Sequence, residues 1–459
     1  MKAKGKRQEA KGKSRLYQRG SRVFSMRPHA KCRKQYRNLF LPFAFCLLPF
    51  AFLLLTLTAN AQGKITAGVG KSDITPPVGT PLAGYGNRAG KPSTGVHDPT
   101  EARALIIDNG VEKIAFLSVD HLGYDHAMVE RVRSIASAAT QIAPDHIFVM
   151  SSHTHAGGGA YLEIFPILAG RYDPKIRALY EERAAEALVR ANRDLKPARI
   201  AIGAGEARGI SRFRSKWPPD GPIDAEVGVI RIDSAATGKP LAVLMNFAAH
   251  PTVLSGKNFE FSADFVGYAR RAVEKMLGGE VMALFANGAQ GTIAPHAFQG
   301  NTEWERAENV GTILAAEVLK VALMIKPQEG VEIKLARTVF DIKPQPPPLF
   351  PAAVPFPPAY TTEVNAISFD NRVAFVTIPG ELSSILNIQV KERGRMLGFE
   401  KTFLLGLTND ALGYIITEDE YRHKTYEATI SLFGPNFGSF ITNEAFTALE
   451  KLRPVEKKP

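Results

Sequence analysis

Short apolar runs alternate with longer amphipathic segments along most of the chain. Six runs rich in β-branched residues predict buried strands at 112–120, 146–155, 240–250, 280–289, 371–381 and 401–410. Helical spacing of apolar residues predicts helices near 125–139, 173–195, 262–278, 303–325, 382–397 and 440–453. Apolar strands separated by helices are typical of sheets that are buried on both faces. We therefore predict a mixed α/β fold, with buried twisted β-sheets flanked by helices in a single domain over 62–459.

Polar side chains that are capable of catalysis or ligand binding stand where each predicted strand ends. In chain order they are Asp120, His121, Ser152, His153, Thr154, His155, Asn246, His250, Asn287, Glu381, Asn409 and Asp410. In sheets with parallel strands, ligand sites form beside the carboxyl ends of the strands. We therefore expect these side chains to meet at one edge and to form the functional site there.

A proline-rich segment interrupts the alternation at 343–358. Eight of its sixteen residues are proline, which excludes a helix or a central strand. The segment is predicted to be an extended surface loop, either a rim beside a cleft or a plain connector.

The positive charge of the chain is confined to its amino-terminal end. The whole sequence carries a net charge of +12, yet 14 lysines and arginines and only one acid fall within residues 1–61. The remainder, 62–459, is close to neutral at −1. The basicity is therefore no sign of a nucleic-acid partner, and we expect none.

The same amino-terminal segment has the order of a targeting sequence. An apolar run at 39–58 follows the basic residues, and Ala-Asn-Ala comes next at 59–61. This order predicts a signal peptide and a secreted or periplasmic protein. The alternative is an uncleaved membrane anchor at 39–58, since the run is long enough to span a bilayer.

Both cysteines, Cys32 and Cys46, lie in this predicted leader. The predicted mature chain therefore has no cysteine nucleophile, no cysteine-ligated zinc and no iron–sulfur cluster. Any metal ion in it must be held by His, Asp, Glu or Tyr side chains.

The sharpest local motif is SSHTHAGGG at 151–159. His153 and His155 are two residues apart, so both imidazoles face the same side of an extended backbone. This spacing suits two histidines that approach one ion or one reacting group, and a locally hydrogen-bonded pair is the alternative. The glycines that follow allow the backbone to approach a ligand closely.

Three further side chains extend the candidate site, and each has a structural alternative. His250 ends an apolar run before Pro251 and is either a metal ligand or a hydrogen-bonded structural histidine. Asp264 is either a helix N-terminal carboxylate or an acceptor that fixes a histidine tautomer. Glu381 stands where a helix is predicted to begin and suits either the helix dipole or the role of carboxylate ligand or general base.

Two loops carry weaker signals. The glycine-rich turn at 288–296 suits a phosphate or an oxyanion, although it lacks the spacing of a phosphate loop. Arg212 and Arg214 are either anchors for a substrate oxygen or parts of a solvated basic loop.

Three tyrosines lie near one another in the last third of the chain, with acidic residues between them. They are Tyr414, Tyr421 and Tyr426. Tyrosines in loops are usually packing groups with a solvated hydroxyl, and the pattern alone does not choose among these three.

Six motifs follow one another from about residue 65 to about residue 440. They are AGVGKSDITPP (67–77), SSHTHAGGG, the stretch from His250 to Asp264, the turn at 281–295, IPGE, and LTNDALGYIITEDEY with TYEA and SLFGP after it. In order and spacing they resemble the neutral/alkaline (non-lysosomal) ceramidase family, specifically its amino-terminal catalytic domain.

The resemblance implies a mixed α/β domain that holds one zinc ion. The ligands that it implies are His153, His250, Glu381 and Tyr414. It further implies that His155 lies beside the reacting amide, that the Tyr426 hydroxyl lies near the substrate carbonyl, and that Arg212 is the substrate-site arginine, with Arg214 as the alternative.

The reaction that the resemblance implies is hydrolysis of the amide bond of N-acylsphingosine to sphingosine and a fatty acid. Zinc would polarise the carbonyl and lower the pKa of a bound water to about 7. The implied partner is a lipid or another small N-acyl substrate, which also suggests contact with a membrane surface.

The chain departs from the family pattern in the turn GTIAP. Ala294 stands where the family has a serine before the proline, and Thr292 reaches the same side if the backbone is extended. Loss of a hydroxyl that contacts the transition state commonly costs about 10²–10³ in rate. The alternative function is therefore a catalytically weakened or inactive protein that binds zinc or lipid on the same scaffold. Characterised members also carry a carboxy-terminal β-sandwich domain, for which we expect no counterpart in these 459 residues.

Overall fold

The structure is a computed structural model that describes residues 64–296, 299–347 and 356–454. The predicted leader, with its alternative anchor at 39–58, lies outside the described residues, and so does 348–355 of the proline-rich loop. The described residues belong to one compact unit. Within them, no helix is both long enough and apolar enough to cross a membrane.

The strands of the described chain form two main sheets and three short two-stranded pairs. In chain order they are β1 (Thr66–Asp73), β2 (Gly95–Val96), β3 (Glu101–Asp108), β4 (Lys113–Val119), β5 (Ile147–Ser151), β6 (Lys196–Glu206), β7 (Ser211–Phe213), β8 (Glu226–Ser234), β9 (Pro240–Phe247), β10 (Glu260–Phe261), β11 (Met282–Asn287), β12 (Ile293–Pro295), β13 (Ile333–Ile342), β14 (Tyr360–Phe369), β15 (Val373–Thr377), β16 (Glu381–Leu382), β17 (Lys401–Leu405) and β18 (Tyr414–Ile415).

The α-helices connect these strands. In chain order they are α1 (His126–Thr140), α2 (Pro166–Ala169), α3 (Pro174–Arg193), α4 (Asp264–Leu277), α5 (Glu303–Met324), α6 (Ser384–Met396), α7 (Glu418–Arg422) and α8 (Phe437–Lys451). Each of the six predicted helices and six predicted strands is present, with ends a few residues from those predicted. The prediction of a mixed α/β fold is confirmed.

The larger sheet has eight strands in the order β11-β9-β8-β6-β1-β3-β4-β5. Its inner pairs are antiparallel, whereas β9–β11 and β4–β5 at its two ends are parallel. The smaller sheet has the order β13-β14-β15-β17, in which β15 and β17 are parallel and the other pairs antiparallel. The six strands that the sequence predicts are therefore the members of three parallel pairs.

The two sheets pack face to face, with helices on both outer sides. The apolar layer between them contains Phe116 and Phe148 from the larger sheet and Phe375 and Phe403 from the smaller one. Helices α1, α3, α4 and α5 cover the outer face of the larger sheet, and α6 and α8 cover that of the smaller sheet. Successive strand residues point into opposite layers, and both layers are apolar, so these strands are apolar throughout.

The connection from β4 to α1 shows how the chain turns at the edge that matters for function. The strand ends at Val119, a turn of five residues follows, and Asp125 caps α1 by accepting a hydrogen bond from the Met128 backbone N–H at 2.8 Å. A side-chain cap of this kind fixes where the helix begins. The turn between strand and cap is thereby held at the carboxyl edge of the sheet.

Candidate metal centre

Three turns at the carboxyl ends of parallel strands bring together residues that the sequence analysis selected as ligands. His153 lies two residues beyond β5, His250 three residues beyond β9, and Glu381 opens β16 four residues beyond β15. All three side chains are buried. The structure thus brings these three together at one edge, as their positions at the strand ends predict.

Glu381 and Tyr414 are neighbours because two short strands pair in parallel. β16 and β18 place Glu381 opposite Tyr414, and the Glu381 backbone N–H donates to Gly413 O at 2.9 Å. The turn at 288–296 packs directly on this strand, since a Cβ on Gly291 would lie 2.4 Å from the Glu381 carbonyl oxygen. Close backbone packing therefore requires the glycine at this position.

The imidazoles and the carboxylate approach one another at bonding distances. Glu381 Oε2 lies 2.9 Å from His250 Nε2 and 3.2 Å from His153 Nε2. His155 Nε2 lies 3.3 Å from His153 Nε2. One ring nitrogen from each of the three histidines falls within 4.8 Å of the others, so together they could hold a metal ion.

Backbone carbonyls fix the tautomer of two of these histidines. His153 Nδ1 lies 2.6 Å from Leu122 O, and His250 Nδ1 lies 2.7 Å from Gln290 O. Because a carbonyl oxygen only accepts, each Nδ1 carries the hydrogen and each Nε2 presents a lone pair. Both Nε2 atoms face Glu381 Oε2, and no described residue donates a well-aligned hydrogen bond to that oxygen. Three acceptors around one point form a set that suits a cation.

His153, His155, His250 and Glu381 are called the cluster below, and burial sets the protonation states of two of its histidines. Burial, with the Arg214 guanidinium adding to it, lowers the pKa of His250 to about 4. Burial and then the neighbouring His153 hold the pKa of His155 well below its usual range. At neutral pH, His155 and His250 are therefore neutral, as metal binding requires of an imidazole ligand.

His155 differs from the other two histidines in its surroundings. No described residue hydrogen-bonds to its buried Nδ1. Its ring packs edge-on against Tyr85, with centroids 4.7 Å apart, and a Cβ on Gly84 would lie 2.6 Å from it. The buried Arg88 guanidinium donates to the His155 carbonyl oxygen. Packing and the 3.3 Å contact of its Nε2 with that of His153 therefore hold this ring in place, whereas no carbonyl fixes its tautomer through Nδ1.

The structure brings Arg214 to the cluster and leaves Arg212 outside it. Arg214 Nη2 donates to the Tyr414 hydroxyl and to Gly291 O, both at 2.8 Å, and lies 3.3 Å from His250 Nε2. Arg212 belongs to the β7–β12 pair, and its side chain is exposed. Residues two apart share one face of a strand, but β7 ends at Phe213, one residue before Arg214. The Arg214 side chain can therefore point toward the cluster although Arg212 faces solvent. The prediction of Arg212 as the site arginine is therefore corrected to its alternative, Arg214.

Two of the three tyrosines that the sequence left open lie at the cluster. The Tyr414 ring is buried, with its centroid 6.3 Å from that of His250. The Tyr426 ring is 59% exposed and lies 6.1 Å from Tyr414, and the Arg214 guanidinium lies over both rings, at 5.5 Å and 5.9 Å from their centroids. Burial, and then the nearby Glu381 carboxylate, raises the pKa of Tyr414 well above its usual range.

Asp264 does not fix the tautomer of a histidine. Its carboxylate accepts hydrogen bonds from the backbone N–H groups of Leu254 at 2.9 Å and Phe265 at 2.6 Å. It lies in the first turn of α4, and burial raises its pKa to about 7. The acceptor role predicted for it is wrong, because the backbone carbonyls of Leu122 and Gln290 already occupy the Nδ1 atoms of His153 and His250.

The hydroxyl of Thr292 does not take the place of the one missing at Ala294. Thr292 Oγ1 lies 3.0 Å from Ser384 Oγ and accepts from the Ser384 backbone N–H at 3.0 Å. Thr292 precedes β12, so the backbone is not yet extended there, and its side chain binds the start of α6. Ala294 lies within β12 and is 7% exposed. The expectation that both side chains face the same way is therefore wrong.

Other polar side chains at strand ends hydrogen-bond the turns that carry the cluster and hold them in place. The Asn287 side chain donates to Ser152 O at 2.9 Å and to Ala249 O at 3.2 Å, so it ties the turn of His153 to that of His250. Sequence reasoning marked Asn287 as a polar strand end but could not assign this bridge. The backbone acceptors of the imidazoles were missed altogether, because a carbonyl leaves no signal in residue identity.

Asp120 and Asn409 make structural hydrogen bonds away from the cluster. The Arg270 guanidinium donates to both oxygens of the buried Asp120, at 2.9 Å and 2.6 Å. The Asn409 side chain donates to Glu363 at 2.8 Å and accepts from the Val149 backbone N–H at 2.9 Å. The expectation that every polar strand end joins the functional site is therefore wrong for these two, whose polar groups are satisfied within the fold.

The amino-acid sequence is similar to known proteins over about half of its length. A family model described as neutral/alkaline non-lysosomal ceramidase, N-terminal, matches residues 65–305. Neutral ceramidase A of Dictyostelium discoideum is 25% identical over 255 residues, which cover 50% of this chain and 35% of that protein. A neutral ceramidase of Mycobacterium tuberculosis is 24% identical over 260 residues, which cover 50% of this chain and 40% of that protein. The matched region thus spans well under two thirds of either relative.

The fold is similar to that of solved structures over a longer stretch. The crystal structure of neutral ceramidase from Pseudomonas aeruginosa has a TM-score of 0.75 at 19% identity, covering 86% of this chain and 76% of that one. A structure described as ceramidase complexed with C2 has a TM-score of 0.74 at 19% identity, covering 86% and 77%. At this level of identity the likeness shows that the fold is shared.

Proposed function

This chain belongs to the neutral/alkaline non-lysosomal ceramidase family, and we propose that it hydrolyses the amide bond of N-acylsphingosine, or of a related N-acyl lipid, with one zinc ion. The observation that carries the proposal is the convergence of two histidine nitrogens on one carboxylate oxygen. The nitrogens of His153 and His250 lie 3.2 Å and 2.9 Å from Glu381 Oε2. Nitrogen and oxygen donors of this kind suit Zn²⁺.

The proposed zinc ligands are His153, His250, Glu381 and Tyr414. Zinc bound there would polarise a substrate carbonyl and lower the pKa of a bound water. The carbonyl acceptors at both Nδ1 atoms support this assignment, because outer hydrogen bonds of this type orient the imidazoles of metal sites. The Tyr414 hydroxyl is supported by its register opposite Glu381.

Three side chains around these ligands are suited to handle the substrate and its protons. Arg214 and the Tyr426 hydroxyl would donate to the amide oxygen as negative charge develops on it. His155 would take a proton from the attacking water and deliver it to the leaving amine. Its suitability rests on its neutral, buried ring and on an Nδ1 that no described residue occupies, so the hydrogen can change nitrogen.

We also propose that the protein is exported. The support is the order of the leader, with basic residues before the apolar run at 39–58 and Ala-Asn-Ala after it. Sequencing the amino terminus of the protein recovered from outside the cytoplasm should find Gln62 as the first residue. Recovery in the membrane with 39–58 intact would favour the anchor instead.

Hydrolysis of fluorescent N-acyl lipids, measured with and without a chelator, tests the proposed activity. Turnover should be lost with the chelator, return when Zn²⁺ is added, and fall by about 10²-fold or more in Glu381→Ala. His146→Ala is the control, since this histidine pairs with Glu112 away from the cluster. Turnover that survives both the chelator and Glu381→Ala would contradict the proposal.

A second candidate function is that of a zinc- or lipid-binding protein with weak or no catalysis. The observation that favours it is Ala294, which offers no hydroxyl where the family has a serine, and which Thr292 does not replace. On this account Ala294→Ser should raise kcat by about 10–100-fold, because the hydroxyl would contact the transition state. Ala294→Gly changes the same position without adding a hydroxyl and should show no gain. Equal kcat in wild type and Ala294→Ser would show that the serine position does not limit turnover.

A further inference from the structure

A buried carboxylate stands behind the site arginine. Glu427 opens a short 3₁₀ helix over Glu427–Ile430 and is only 1% exposed. Its Oε1 lies 3.4 Å from Arg214 Nε, and its Oε2 accepts a hydrogen bond from Ser215 Oγ at 3.0 Å. The carboxylate therefore contacts two consecutive residues of the loop that carries the arginine.

The other end of the same guanidinium reaches the metal centre. Arg214 Nη2 donates to the Tyr414 hydroxyl at 2.8 Å and lies 3.3 Å from His250 Nε2. Tyr426, the residue before Glu427, packs its ring 5.9 Å from the guanidinium carbon. Two consecutive residues, Tyr426 and Glu427, thus contact the guanidinium through a ring and a carboxylate.

The Glu427 carboxylate compensates the positive charge of Arg214. Arg214 is a largely buried cation, 18% exposed, beside a cluster of donors that would hold a second cation, and two positive charges repel strongly in such a site. An unpaired buried guanidinium would turn toward solvent or another acceptor, because leaving a buried charge without its partner is costly. Glu427 supplies the compensating negative charge on the side away from the ligands.

We infer that Glu427 is a positioning residue, which acts through Arg214 by holding its guanidinium against Tyr414 and the substrate position. The inference rests on the proposed function, in which Arg214 donates to the amide oxygen. The competing explanation is that Glu427 only anchors the loop through Ser215. The two explanations differ in whether the effect of Glu427 requires Arg214.

A double-mutant cycle on the zinc-loaded enzyme separates them. Glu427→Gln should lower kcat by about 10–100-fold, the usual effect of losing an outer partner at a metal site, with KM changed less than about threefold and zinc content unchanged. In the Arg214→Ala background the same substitution should cost less than about threefold, because the group that it positions is already gone. Glu427→Asp should recover part of the lost kcat. Equal losses in both backgrounds, or a Glu427→Asp no better than Glu427→Gln, would overturn the inference.

Glu420→Gln is the matched control for the cycle. Glu420 is a buried glutamate in the same segment, bonded to Ser383 and Thr417, and it does not contact Arg214. Any loss that it causes should be the same with and without Arg214. If Glu427→Gln does not fold, Glu427→Asp is carried through the same cycle: a smaller loss in kcat that disappears in the Arg214→Ala background supports the inference, and an equal loss in both backgrounds overturns it.

The Nε–Hε signal of Arg214 in ¹⁵N spectra gives a test that needs no substrate. The signal, assigned by its loss in Arg214→Ala, should shift or broaden in Glu427→Gln and stay unchanged in Glu420→Gln. An unchanged signal in Glu427→Gln would overturn the inference. Should wild type hydrolyse no N-acyl substrate, the proposed function fails while this measurement still decides the role of Glu427.

Discussion

At the scale of single residues, the candidate site depends on which ring nitrogen of each histidine is free to bind at the centre. Carbonyl oxygens at the Nδ1 atoms of His153 and His250 leave only the Nε2 atoms for bonding at the centre. His155 has no such acceptor at Nδ1 among the described residues; its ring packs against Tyr85 and Gly84, and its Nε2 lies 3.3 Å from His153 Nε2. The same residue type is therefore oriented as a proposed metal ligand at two positions and is suited to proton transfer at the third.

The Gly84 position tests whether the packing of His155 matters for activity. Gly84 has φ +102° and leaves no room for a Cβ, which would lie 2.6 Å from the His155 ring. Gly84→Ala should therefore cost about 1–3 kcal/mol in backbone strain and also displace the ring, with a loss in kcat. Thermal unfolding and kcat are measured together.

Gly79→Ala is the matched control for this change. Gly79 has a similar φ of +104°, and no atom lies within 4 Å of a Cβ there. It should lose a comparable amount of stability and keep its kcat. If both variants lose kcat equally, the contact with His155 is not the reason.

The sequence allowed the choice of His153, His250 and Glu381, because strand-end position and spacing are visible in residue identity. It could not decide between Arg212 and Arg214, since residues two apart share one face of an extended strand. The decision depends on where β7 ends, one residue before Arg214, and strand ends are fixed by tertiary contacts.

At the scale of elements, the parallel pairs and their turns are held by buried charge as well as by apolar packing. Glu363 of β14 accepts from Arg133 of α1 at 2.7 Å, from Asn409 beyond β17 at 2.8 Å, and from Arg337 of β13 at 2.7 Å. Burial would raise the pKa of Glu363, but the hydrogen bond and charge of Arg133 outweigh it and lower that pKa to about 2. One carboxylate therefore joins a helix, two strands and a turn near the site.

Glu363→Gln should destabilise the fold by up to about 3–5 kcal/mol at neutral pH, because it leaves the buried Arg133 with only the half-exposed Glu130 as its counter-ion. A depressed folded-state pKa stabilises the fold above the ordinary carboxyl pKa of about 4.3, and this stabilisation is lost as pH falls toward 2. The difference between wild type and variant should therefore be full at pH 7 and shrink between about pH 4.5 and pH 2. Denaturant unfolding across this range measures it.

Glu400→Gln serves as the control, since the Arg372–Glu400 pair is more than half exposed on both sides. Its effect should stay below about 1 kcal/mol at every pH. A difference for Glu363→Gln that is small at pH 7, or that grows on acidification, would contradict the account of the buried network.

The topology explains why the sequence predicts some strands and not others. The six predicted strands are apolar throughout because they are covered on both faces. Strands such as β6 were missed because its buried residues are interrupted by half-exposed ones, as suits its antiparallel neighbours β1 and β8. β3 carries a continuous buried run at 102–107 and could have been recognised by the same criterion.

At the scale of the whole molecule, the described residues form two main sheets that face each other between two helical layers. An apolar strand pattern says that both faces are covered but not whether a helix or a second sheet covers each one. The division into two sheets therefore could not be predicted, although the α/β class could. This division has a consequence for the site, because His153 and His250 follow strands of the larger sheet, whereas Glu381 and Tyr414 follow strands of the smaller one. The proposed metal ion would thus join the two sheets.

Metal analysis of the purified protein tests this central claim most directly. Elemental analysis should find one zinc ion per chain in wild type and almost none in a His153→Ala/His250→Ala double variant, with one zinc retained in the control His146→Ala. Thermal unfolding should show that the double variant has also lost the stabilisation that Zn²⁺ gives wild type, because an ion that binds only the folded state stabilises it. Wild type without stoichiometric metal, or a double variant with as much zinc as wild type, would contradict the account.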